Sequence, residues 1–218
     1  MRSANVDKFN HDADAADYDA SVADESDPIR AGYDAVLGWV AEKVPAGSGV
    51  VIDLGCGTGN LALRIAGAAR LLCVDVSDKM TAIARRKLAH LPCEFVQADL
   101  LECFDDLPLA DVIVSTYAVH HLTWQEKQVL FQKIHGHLAA GGMAVFGDLM
   151  FESRTTERSL CNQYARSGRQ ELVDDLQDEF FWYVDEARAE LQRIGFHTVH
   201  KQFSELSWGI AARKTHRG

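Results

Sequence analysis

The sequence predicts an α/β fold, doubly wound, with a mostly parallel seven-stranded sheet and a C-terminal antiparallel hairpin. Three observations point there. Short, continuous apolar runs alternate with helical patterns, as strands buried on both faces require. The first run leads into a glycine-rich turn, and the last two runs are separated by too few residues for a crossover helix. At 218 residues the chain has room for one large α/β domain, taken as 1–218.

The elements follow in order. Residues 1–45 form an N-terminal helical cap: an Asp- and Ala-rich stretch closed by Pro28, then Ile29, Tyr33, Val36, Leu37, Val40 and Val44 at helical spacing up to Pro45. Val50–Ile52 is the first strand, Leu61–Ala66 a helix, and Leu71–Val74 the second strand. Ser77 caps a helix that runs to about Leu88. Phe95-Val96 and Val112–Val114 are the third and fourth strands. Thr123 and Glu126 spell a capping box, and Leu130, Ile134 and Leu138 line one face of the helix behind it. Gly141-Gly142 is expected to end that helix, and Met143–Phe146 is the fifth strand. Residues 151–182 are the least regular segment and are expected to be either a substrate lid or a packed insertion. Asp185 opens a helix that Gly195 terminates, and Phe196–Phe203 and Leu206–Ala212 are the arms of the closing hairpin.

Composition narrows the function. Net charge is −10, from 32 acidic against 22 basic residues, a field that repels polyanions and argues against a nucleic-acid partner. Five cysteines show no C-x-x-C pairing, and no apolar run is long enough to span a bilayer. A cytoplasmic protein without a membrane partner, monomeric or homodimeric, is expected.

In a doubly wound sheet, ligands sit beyond the carboxyl ends of the strands. After the first strand comes Asp53-Leu54-Gly55-Cys56-Gly57-Thr58-Gly59-Asn60. Alternate glycines let the backbone turn tightly and approach a ligand. Asn60 stands where a dinucleotide fingerprint has its third glycine. Asp53 would attract an ammonium group and repel a pyrophosphate. Asp75, ending the second strand, is placed to hydrogen-bond a ribose diol. A nucleoside with a cationic amino-acid end and no phosphate satisfies all of these, and S-adenosylmethionine fits.

At this point the sequence resembles the class I S-adenosylmethionine-dependent methyltransferases, with their Rossmann-like fold. More narrowly it looks like the YrrT-type methyltransferases, relatives of the ubiquinone/menaquinone-biosynthesis methylases. The narrower likeness rests on Val114–Thr123, on Asp174-Asp175-Leu176 and on Leu206-Ser207-Trp208. The resemblance implies that Asp53, Gly55, Gly57 and Asn60, with Cys56 among them, surround the methionine part of the cofactor. It implies Asp75 on the ribose, Val76 and Met80 on the adenine, Asp99 on the adenine amine and the Leu100 backbone on a ring nitrogen. Ser115 is counted with this group. Tyr18 either closes over the cofactor or packs a helix onto the sheet.

The acceptor side is read from residues after the fourth strand. Tyr117 and His120 are the candidate catalytic residues, with His120 facing the pocket and His121 packed structurally; a purely structural His120 is the alternative. An imidazole could take a proton from a thiol, hydroxyl or amine near neutral pH. No third ligand accompanies the two histidines, so no metal is expected. Asp148 is a further wall candidate. The Asn/Asp-Pro-Pro-aromatic run with which nucleic-acid amine methylases cradle a base is absent: Ser115-Thr116-Tyr117-Ala118 stands there. The expected reaction is methyl transfer to a small-molecule acceptor through O, N or S, with a base needed only if the acceptor is protonated at the working pH. A sulfur metabolite is one candidate acceptor. The alternatives are an S-adenosylmethionine- or S-adenosylhomocysteine-binding protein without transferase activity, and an RNA or protein methyltransferase.

Overall fold

A computed structural model describes residues 2–215. In chain order the elements are α1 (Tyr18–Ser21), α2 (Tyr33–Lys43), β1 (Val50–Leu54), β2 (Arg70–Asp75), α3 (Asp78–Lys87), β3 (Cys93–Gln97), β4 (Ala110–Thr116) and α4 (Trp124–His137). There follow β5 (Leu138–Phe151), α5 (Arg154–Arg166), α6 (Gln170–Asp178), β6 (Trp182–Tyr183), α7 (Val184–Ile194), β7 (Phe196–Gln202) and β8 (Ser207–Lys214). The main path of the sheet runs β3-β2-β1-β4-β5-β8-β7. The first five strands are parallel, and β8 enters antiparallel between β5 and the edge strand β7. These are the seven expected strands; an eighth, the two-residue β6, adds to the far end of β5.

Successive residues of one strand serve opposite faces. Val51 packs with Val36, Leu37 and Val40 of α2, whereas Ile52 joins Leu130, Phe131 and Ile134 of α4 and Leu191 of α7. Both layers are therefore closed to water, which accounts for the unbroken apolar runs. Local signals fix the helix ends. The Ser77 hydroxyl accepts from the Met80 amide at 3.0 Å. Thr123 and Glu126 form the expected reciprocal box. Gly195, at φ 116°, ends α7.

Several expectations are corrected. The helix expected over Leu61–Ala66 is a single 3-10 turn, Ala62–Arg64; so short a stretch before Gly67 cannot repay helix nucleation. Helix α2 begins only at Tyr33, behind Gly32 at φ 81°, and the residues before it are mostly turns. Gly141-Gly142 does not end α4. The helix stops at His137, Leu138 already pairs with Ala110, and a register shift follows in which residues 139–142 of β5 stand against Asp111 alone, with Gly141 at φ 75° inside β5. The strand is pulled back by the ladder bonds it can make with β4, and the glycines accommodate the irregularity. Residues 151–182 are far from irregular, holding α5, α6 and the start of β6. No helix among the described residues is long and apolar enough to cross a membrane.

Candidate functional site

The carboxyl ends of β1 to β4 open into one cavity of about 870 Å³ counted with its mouth. The β1 loop forms its floor. The amides of Gly55 and Cys56 both donate to the carbonyl of Val74, at 2.8 and 3.0 Å, folding the loop back over β2. Gly55 sits at φ 74°, and a side chain there would meet the Ala118 methyl. From the end of β2, Asp75 accepts from the Gly57 amide at 2.8 Å and from the Ser77 amide at 2.9 Å. One carboxylate thus holds the loop and the start of α3 and still presents free lone pairs to the cavity. Burial raises its pKa despite these bonds.

Of the residues expected to bind the cofactor, Tyr18, Gly55, Cys56, Gly57, Asn60, Asp75, Val76, Met80, Asp99 and Leu100 line this cavity. Asp53 and Ser115 do not. The Ser115 hydroxyl donates to the carbonyl of Leu54 at 2.7 Å, joining two strands behind the wall, and its neighbour Thr116 faces the cavity. Asp53 is fully buried beneath the loop, and neither carboxylate oxygen has a hydrogen-bond partner among the described residues. Burial, reinforced by the charge of Asp75, pushes its pKa up to about 8.

That shift has a testable sign. Between the ordinary carboxylate range and about pH 8 the native protein keeps a proton on Asp53 that the unfolded chain has released. Native stability therefore falls as pH rises through this window, by about 1.4 kcal/mol per pH unit at the limit. Asp53→Asn, which carries no charge, is expected to flatten the decline, so that the variant gains on the wild type steadily from pH 5 to pH 8. Urea unfolding at four pH values measures this; parallel curves for the two proteins would refute it.

The roof is a strap that sequence patterns did not reveal. Ser3 donates to Asp99 through both its amide and its hydroxyl. The Ala4 amide donates to Glu126 at 2.6 Å, tying the strap to the capping box of α4. Phe9 stacks on His121 with ring centroids 4.4 Å apart, and Asp12 accepts from the Ser77 hydroxyl at 2.6 Å. Ser3, Phe9, His11 and Tyr18 thereby cover the cavity. Asn60 is drawn into a polar cluster at the loop's end. Its amide donates to Asp19 and to the Tyr33 hydroxyl, at 3.0 and 3.1 Å, and its carbonyl accepts from Lys87 at 2.6 Å. The signal for the strap lies only in scattered side chains, Ser3, Phe9 and His11, none periodic.

At the β4 end, Tyr117 lines the cavity at φ 50°, a conformation uncommon for a non-glycine residue. Its ring lies 5.0 Å from that of Tyr33 and its hydroxyl 3.3 Å from Ser207. Burial raises the pKa of the phenol well above its usual value. The two histidines exchange the places expected of them. His121 lines the cavity, while His120 lies behind it, its Nδ1 2.5 Å from Asp148. The 3-10 turn Val119–His121 brings about this exchange. Asp148 is not beyond β5 but inside it, fully buried, and also accepts from the His120 amide at 3.0 Å. Burial lowers the His121 pKa to about 4, with the neighbouring His120 adding to the effect, so His121 is a neutral imidazole at pH 7. Glu179, 58 residues further on, faces both rings, a juxtaposition that spacing could not reveal.

The aromatic and basic side chains that the expected lid segment and its end offer to a substrate lie elsewhere. Trp182 is buried in the core, Tyr164 donates to Glu205 at 2.7 Å, Arg169 lies over the Tyr164 ring and Phe181 packs on Phe151. None of Tyr164, Arg166, Arg169, Phe180, Phe181, Trp182 and Tyr183 lines the cavity. Lys127 fastens this segment to the site: its buried ammonium donates to the carbonyls of Leu122 and Phe180, and burial pushes its pKa down to about 7.

Comparison with known proteins adds the following. Residues 51–142 match the family model described as a methyltransferase domain. An uncharacterized methyltransferase of Oceanobacillus iheyensis is 33% identical over 184 residues, 84% of each chain. The uncharacterized methyltransferase YrrT of Halobacillus halophilus is 30% identical over 96% of this chain and 97% of its own. Among solved structures, the DhpI–SAH complex is similar in fold, with a TM-score of 0.69 at 22% identity over 95% of this chain and 94% of that one.

Proposed function

Because this chain belongs to the methyltransferase family of which the YrrT-type proteins are members, we propose that it transfers the methyl group of S-adenosylmethionine to a small-molecule acceptor. The carrying observation is the cavity in which the glycine loop, Asp75 and Asp99 meet under a strap from the chain's own N-terminal segment. In this reading Asp75 takes the ribose hydroxyls, Val76, Met80 and the Asp99–Leu100 stretch hold the adenine, and the loop holds the methionine end. Without the cofactor, Asp53 keeps its proton below about pH 8; a cofactor ammonium group behind the loop would draw that proton off, and the two otherwise unpartnered oxygens would then carry the compensating charge.

The cofactor brings an activated methyl group on a sulfonium, so the protein's work is alignment and exclusion of water. The acceptor heteroatom attacks the methyl carbon in line with the carbon–sulfur bond, that bond breaks, and S-adenosylhomocysteine leaves. Tyr117, with Tyr33 beside it, forms the wall at the β4 end of the cavity. His121, an uncharged imidazole at pH 7, lines the acceptor side of the cavity, with His120 behind it as a positioning residue. The strap and the net charge of −10 both favour a compact acceptor over a polyanion.

Calorimetry is expected to show S-adenosylmethionine and S-adenosylhomocysteine each binding once per chain, and release of S-adenosylhomocysteine with at least one member of a panel of thiols, hydroxy compounds and amines. Binding of neither would overturn the cofactor assignment. Binding without turnover on any acceptor would favour a sensor, and turnover confined to RNA or protein would overturn the small-molecule assignment.

A further inference from the structure

His120, His121 and Glu179 form a cluster with the geometry of a metal site. The carboxylate Oε2 of Glu179 lies 3.3 Å from Nε2 of His120 and 3.1 Å from Nδ1 of His121. All three atoms lie within 4.8 Å of one another. Although buried and close, His121 Nδ1 and Glu179 Oε2 are not aligned as a hydrogen bond with each other or with any other described group. A cation has no such angular demand. At 2.0–2.1 Å from each ligand in a tetrahedron, it holds its ligand atoms about 3.3 Å apart, which matches the two separations from Glu179 to the histidines.

The surroundings are those of a supported ligand set. Asp148 sits 2.5 Å from Nδ1 of His120, which keeps the proton on that nitrogen and leaves the Nε2 lone pair facing Glu179. Nε2 of His121, its other nitrogen, is 3.0 Å from Nε2 of His11. The Phe180 amide donates to the His120 carbonyl at 3.1 Å and Lys127 holds the Phe180 carbonyl, so the Glu179 segment is tied to the histidine turn from both sides.

We propose that His120, His121 and Glu179 bind one divalent first-row transition ion of the zinc type, oriented through Asp148. Two imidazoles and a carboxylate suit such an ion, and three protein ligands leave a position free for a further one. His121 lines the cavity, so the ion stands at its edge. There an acceptor thiol or hydroxyl completes the coordination, loses its proton to solvent, and then attacks the methyl carbon as the anion while S-adenosylhomocysteine leaves. This role rests on the methyl-transfer reading; binding of the ion does not.

The test is titration of the chelator-stripped full chain with zinc against a chromophoric chelator, and with cobalt followed by its visible absorption. One equivalent is expected to bind. Glu179→Gln, at a partly exposed position, and Asp148→Asn should each weaken binding by about 10- to 100-fold. S-adenosylmethionine binding by the same samples reports that the variants are folded. Absence of stoichiometric zinc or cobalt binding, or an affinity unchanged in both Glu179→Gln and His120→Gln, would overturn the site. A wild-type chain that binds the cofactor but neither zinc nor cobalt is failure of this inference alone; a wild-type chain that binds the metal but not the cofactor is failure of the methyl-transfer reading alone.

Discussion

Asp75→Ala is expected to weaken S-adenosylmethionine binding by about 100-fold. The carboxylate already accepts from two loop amides, and in the proposed complex its remaining lone pairs take the two ribose hydroxyls. Hydrogen bonds to a charged group contribute about 1.5–3 kcal/mol each. Two of them at the low end account for two decades of affinity. S-adenosylhomocysteine has the same ribose and should lose the same factor, so that the ratio of the two affinities is unchanged. Asp75→Asn keeps one acceptor oxygen and should fall between wild type and Ala. Calorimetry with both ligands measures this, and an Asp75→Ala affinity within threefold of wild type would remove the ribose assignment.

What the sequence made legible, and what it did not, divides along the range of the interactions involved. The strands and the closing hairpin follow from apolar runs and short connections, and each cap rests on residues three positions apart, as with Ser77 and Met80 or Thr123 and Glu126. The floor of the cavity was equally readable, because Gly55, Asp75 and Asp99 each follow directly on a strand of one parallel sheet. Three things were not. Which of two adjacent histidines faces the cavity depends on a 3-10 turn, where neither the helical nor the strand period applies. The strap is held by long-range bonds, Ser3 to Asp99 across 96 positions and Ala4 to Glu126 across 122, with no periodicity to announce it. Glu179 reaches the histidines only because α5 and α6 form in the segment read as the least regular, returning the chain to the end of β5.

The second large effect belongs to Gly55, and Gly57 provides its control. Both have positive φ, 74° and 52°, so any L side chain carries a conformational cost of about 1–2 kcal/mol at either position. Only Gly55 adds a collision: a Cβ there would lie 2.4 Å from the Ala118 methyl, whereas nothing stands within 4 Å of one at Gly57. The Ala118 methyl is attached directly to the backbone leading out of β4 and cannot swing aside. Relief therefore requires the β1 loop and the Tyr117 turn to separate, with overpacking adding about 1–3 kcal/mol. Gly55→Ala should lower Tm by roughly 4–20 °C, against about 2–8 °C for Gly57→Ala, on the scale of 2–4 °C per kcal/mol for a domain of this size. The collision has a specific signature, since Ala118→Gly removes its other half. In the Gly55→Ala background Ala118→Gly should restore part of the lost stability, although alone it is destabilising or neutral, giving a favourable coupling in a double-mutant cycle. Strictly additive effects, or equal losses at Gly55 and Gly57, would mean that the loop's conformation matters here and its contact with the β4 turn does not.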